Sequence, residues 1–82
     1  MAEREGLIVT DPAVMLGKPV VRGTRITVEL ILRKLAEGAS EGDLLEAYPQ
    51  LTPEAVRAAI RYAAEVLAHE EDEPVDAARG AP

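Results

Sequence analysis

The sequence predicts a mainly α fold, with three helices behind a short N-terminal β-containing arm or hairpin. Three observations predict it. Apolar residues recur at helical spacing between Val28 and Leu67. Ser, Thr, Pro and Gly punctuate that run where helices start and stop. Ahead of it stand two β-prone stretches, "LIVTDP" and "VVRGTRI", with turn residues between them.

The arm comes first. Residues 1–6 read as a flexible start. The first β-prone run closes at Asp11-Pro12, a turn signal. "AVMLGKP" holds a turn of helix and then Gly17. In the second run Arg22 and Gly23 form a bend, or Gly23 marks a bulge. Pro12 and Pro19 confine these strands to edges or starts, because proline donates no ladder hydrogen bond. Two short strands are marginal alone, so a helix or a sister subunit has to cover them.

Each helix carries its own start signal. Thr27 caps a helix over 28–37, with Val28, Ile31, Leu32 and Leu35 on one side and Leu30 off that stripe. Gly38 stops it. Ser40 and Asp43 stand at capping-box spacing and open a short helix over 41–48, ended by Pro49. Leu44, Leu45 and Tyr48 are its apolar side. Thr52-Pro53-Glu54 opens the third helix, over 53–69: threonine caps, proline fits the first position and glutamate meets the positive end of the dipole. Val56, Ala59, Ile60, Ala63 and Leu67 make its stripe, widened by Ala55, Tyr62 and Val66. The domain thus spans 7–69. An acidic stretch over 70–82, with little to bury, reads as disordered.

Bulk properties narrow the function classes. The 82 residues carry 15 acids against 9 bases, a net charge of -6. A chain this short buries a small core and gains from self-association, so a homodimer is expected. With no Cys, disulfides and thiolate metal sites are excluded, one His cannot make a zinc site alone, and no cofactor is expected. No apolar run approaches the roughly 20 residues of a bilayer span. "MAEREGLIV" has acids where a signal peptide wants bases, so the expected setting is cytoplasmic, without a membrane partner. Asp11, Asp43 and His69 are scattered with no nucleophile–base pair, and no enzyme is expected. The carboxylates of "HEEDE" lack the fixed ligand spacing of a calcium loop.

Against this acidic background, "GKPVVRGTRIT" holds Lys18, Arg22 and Arg25 and no acid. On an arm, such cations clamp phosphates or enter the minor groove. The plainer reading is a charged edge that discourages strand pairing. A regular strand would put Arg22 and Arg25 on opposite faces, and a bend at Gly23 would reunite them. The link "PQLT" has the length of a helix-turn-helix connection, in which the third helix enters the major groove. Arg57 and Arg61 lie on the outer face of that helix with Glu54 and Glu65. Their spacing suits intrahelical ion pairs as well as DNA contact. Thr52, beside a helix N-terminus, is a candidate phosphate donor, although capping is its simpler role. The candidate DNA contacts are therefore Lys18, Arg22, Arg25, Thr52, Arg57 and Arg61. A separate partner-binding set is Glu70, Glu71, Asp72, Glu73, Val75 and Asp76. It either meets a protein partner or merely solubilises the chain.

Taken together, Asp11-Pro12, Gly17-Lys18-Pro19, Arg22-Gly23-Thr24-Arg25, Gly38, Tyr48-Pro49 and Leu51-Thr52 resemble the pattern of the DUF433 family over residues 8 to 64. The resemblance implies a homeodomain-like or winged-helix-like tri-helical fold with a β-containing amino end. It further implies homodimers, and a place among the antitoxins of toxin–antitoxin pairs. Operator DNA and a toxin are then the expected partners, and nothing in the resemblance points to catalysis.

Overall fold

The computed structural model describes residues 6–70. Strand β1 (Ile8–Val9) pairs antiparallel with β2 (Val20–Val21), with Ile8 opposite Val21 and Val9 opposite Val20. The helices are α1 (Val28–Ala36), α2 (Glu41–Ala47) and α3 (Pro53–Glu70). This is the mainly α architecture with a short β arm that the sequence predicts. The strands are shorter than the β-prone runs. Proline at 12 and 19 and glycine at 17 and 23 bound them. The other edge of β2 is occupied too. Val20 bridges Thr27, the Val21 amide donates to the Ile26 carbonyl at 2.9 Å, and the Val28 amide donates to the Pro19 carbonyl at 2.9 Å. The β2 residues are buried on both sides of the ladder, as alternation alone would not place them.

Between Val21 and Thr24 the chain turns through Arg22 and Gly23. The Thr24 amide donates to the Val21 carbonyl at 3.0 Å, and Gly23 has φ +80°. Positive φ at the third position is the mark of a type II turn, so Gly23 forms a bend and not a bulge. The Thr24 hydroxyl locks it by donating to the Val21 carbonyl and accepting from the Ile26 amide.

Helix ends are closed as their residues predict. Thr27 accepts from the Leu30 amide at 2.9 Å and Thr52 from the Ala55 amide at 3.1 Å. Ser40 and Asp43 complete a reciprocal capping box. At the end of α1, the Gly38 amide reaches the Leu35 carbonyl and the Ala39 amide reaches the Lys34 carbonyl. That is a Schellman closure, and Gly38 supplies the required left-handed residue at φ +107°.

The core gathers Val21, Ile26, Val28, Ile31, Leu44, Leu51, Ala55, Val56 and Ala59 from the arm and all three helices. Leu30, off the predicted stripe, packs against its margin with Leu32 and Leu35. One part of the predicted α3 stripe is corrected. Ile60, Val66 and Leu67 are exposed, whereas Ala58, outside the predicted stripe, is buried. The periodicity is right, but α1 and the arm cover α3 only along its first part.

The segment "AVMLGKP" differs from expectation in its hand. Met15–Gly17 forms a 3-10 turn in which Met15, Leu16 and Gly17 have φ of 50°, 60° and 84°. Left-handed backbone costs an L-residue about 1–2 kcal/mol, and two of these three bear bulky side chains. The turn is pinned by its neighbours. The Asp11 carboxylate accepts from the Ala13 amide, and the Asp11 carbonyl from the Val14 amide.

Candidate nucleic-acid interface

The bend that Gly23 allows carries Arg22, and Arg25 follows it before Ile26 re-enters the core. Neither arginine lies in regular strand, so the opposite-face objection does not arise. Both are exposed, and among the described residues neither has an acid within ion-pair distance. Lys18 is different. Its Nζ lies 3.0 Å from Glu29 Oε1, and the same carboxylate takes a second cation from Arg33 one turn on. Arg33 and then Lys18 hold the Glu29 carboxyl below its usual range by hydrogen bonds to its charged form. Lys18 therefore brings less free charge to an anion than its position suggests.

The helix pair is more acidic than its topology suggests. From 41 to 54 the chain carries Glu41, Asp43, Glu46 and Glu54 and no base. Arg57 does not pair within its own helix. Its Nη2 reaches across to Glu41 Oε1 at 3.8 Å, at the start of α2. Arg61 is exposed, with no acid partner within ion-pair distance among the described residues. Thr52 spends its hydroxyl oxygen on the Ala55 amide, which is the capping role. Six predicted contacts thus divide: among the described residues Arg22, Arg25 and Arg61 are unpaired, Lys18 and Arg57 are tied to glutamates, and Thr52 caps. Glu29 and Glu41 are the residues that sequence reasoning missed. Of their pairs, the i,i+4 spacing to Arg33 was visible beforehand.

Two depressions flank these groups. One is an open, apolar groove of about 500 Å³ between α1 and the second half of α3, lined by Pro19, Val28, Leu32, Tyr62, Ala63, Val66 and Leu67, with Glu29 and Arg33 on its rim. Leu67 is 61% exposed there. The other, about 350 Å³, is formed by the left-handed turn with Pro12, Ala13, Lys18 and Arg25. Glu70 closes α3, one residue beyond the predicted end. The remaining candidates for partner binding, Glu71, Asp72, Glu73, Val75 and Asp76, lie outside the described residues. Among the described residues no helix is long and apolar enough to cross a membrane.

A small tri-helical domain with a β arm, with Arg22 and Arg25 exposed on that arm, is the class that fold and site define. The model of a protein family of unknown function, DUF433, matches residues 8–63, and the chain belongs to that family. The crystal structure of a DUF433 member from Anabaena variabilis is similar, with 32% identity and a TM-score of 0.73. The likeness covers 79% of this chain and 64% of that one. An uncharacterized protein y4eO of Sinorhizobium fredii is 38% identical over 63 residues, which are 77% of this chain and 28% of the relative. The chain therefore spans under a third of that relative's length.

Proposed function

We propose that this protein is a dimeric DNA-binding transcriptional regulator of the antitoxin type, gripping operator DNA chiefly through its arm. The observation that carries the reading is the exposed Arg22–Arg25 bend, unpaired among the described residues, beside a three-helix body. Exposed arginines held on a fixed turn meet phosphate without first breaking an ion pair. The acidic α2 and the Arg57–Glu41 tie shift the weight away from the helix pair and toward the arm. The apolar groove along α3 supports pairing of two copies, since an uncovered stripe that continues a core stripe asks for a partner.

The deciding experiment is a gel shift on the promoter of the protein's own operon across a salt series. Retardation that weakens steeply with salt is the expected result, because phosphate contacts release counterions. No retardation at low salt by the folded protein overturns the DNA reading, and a one-chain mass in solution overturns the pairing. Neutralisation of a toxin by the acidic stretch from Glu70 to Asp76 is the second half of the proposal. Deleting residues 71–82 should abolish capture of the adjacent gene's product and leave DNA retardation intact. Capture that survives the deletion would move that role to the body.

A second reading, an interaction or structural homodimer that binds no DNA, is favoured by the same groove and by the four acids between 41 and 54. It predicts a stable dimer with no shift at any salt.

A further inference from the structure

The Met15–Gly17 turn displays its side chains at the cost of backbone strain. Leu16 is 92% exposed, the most solvent-facing large apolar residue among those described, and Met15 beside it is exposed as well. Both sit at positive φ, where glycine would rest without strain. Burial does not repay a leucine there, because Leu16 buries almost nothing. The turn is nevertheless held by the Gly17 amide bond to the Val14 carbonyl at 3.0 Å and the Lys18 amide bond to the Met15 carbonyl at 3.1 Å, with Val14 itself bonded back to the Asp11 carbonyl. Strained, over-determined backbone that presents a side chain to solvent is a mark of a contact made elsewhere.

The surroundings indicate what that contact is. Leu16 and Met15 share their depression with Arg25 and with Lys18, whose charge is shared with Glu29 outside it, and no acid lines it. Arg22 stands on the neighbouring bend. An apolar tip flanked by cations matches the minor groove of duplex DNA. There, Leu or Met side chains wedge between base steps while arginine and lysine meet the narrow, negative walls. We propose that Leu16 is an intercalating wedge, and that this protein bends the DNA it binds. The inference deepens the DNA reading above and rests on it.

The test uses the full chain and a promoter fragment labelled at both ends for energy transfer. Wild type is expected to shorten the end-to-end distance, as a kink of roughly 20–90° would. Leu16→Gly and Leu16→Asn both tolerate the left-handed turn and remove the apolar tip. Each should retain or raise the melting midpoint and leave the bound fragment nearly straight. Leu16→Phe should keep the bend. Wild type that fails to bind the fragment overturns wedge and DNA reading together. Binding by wild type with no bend, or a bend unchanged in both Leu16→Gly and Leu16→Asn, overturns the wedge alone.

Discussion

Ile31→Ala should lower the unfolding free energy by about 3–4 kcal/mol, within the range for truncating a fully buried isoleucine. Ile31 is 0% exposed and sits on α1 where the arm, α2 and α3 converge. Removing three carbons there takes contacts from every element at once. The small alanines of α3, at 55 and 59, sit in the same cluster and cannot expand to fill the space. A domain of this length has a total stability on the order of 5–10 kcal/mol, so the loss is a large share of it. Urea titration followed by helix circular dichroism reads the result as a lower midpoint at unchanged slope. Wild type and variant have to be compared at equal concentration, because pairing through the groove would add stability by mass action. A loss under about 1 kcal/mol would mean that the core is centred elsewhere.

The helices were legible because their signals are local. Thr27, Ser40 and Thr52 each find an amide three residues ahead, so four residues of sequence contain the whole interaction. The arm was legible only in outline. The bridge from Val20 to Thr27 depends on the path between them, which Thr24 and Gly23 fix through backbone geometry. Periodicity named the α3 stripe but not its covered length. Leu67 stays exposed because it faces Val28 and Leu32 of α1 across an open groove, and no spacing rule reports how closely two helices approach.

The candidate site was legible as a set of charges and not as a set of free charges. Lys18 and Glu29 are eleven residues apart, and Arg57 and Glu41 sixteen; no spacing rule joins such pairs. The left-handed turn was hidden for the opposite reason. Local propensity speaks against positive φ at Met15 and Leu16, and a conformation that disagrees with its own residues leaves no signal in them.

Reversing the two unpaired arginines together, Arg22→Glu with Arg25→Glu, should weaken DNA binding by roughly a hundredfold or more at low salt. Two phosphate contacts are lost and two repulsions put in their place. The slope of log affinity against log salt should become shallower by about 2, since each phosphate contact contributes about 0.9. The loss should be uniform across DNA sequences, which separates a backbone grip from base reading. Stability should change by less than about 0.5 kcal/mol, because both side chains are exposed and have no ion-pair partner among the described residues. Arg57→Gln is the informative contrast. Its guanidinium is already shared with Glu41, so the smaller loss belongs there if the arm is the grip. Fluorescence anisotropy on labelled promoter and control fragments measures affinity, salt slope and sequence dependence, and urea titration measures the stability. Should Arg57→Gln abolish binding while the double reversal leaves it intact, the helix pair reads the DNA and the arm does not. The cations of the arm would then serve what their position first suggested, keeping the β1 edge from pairing with another chain.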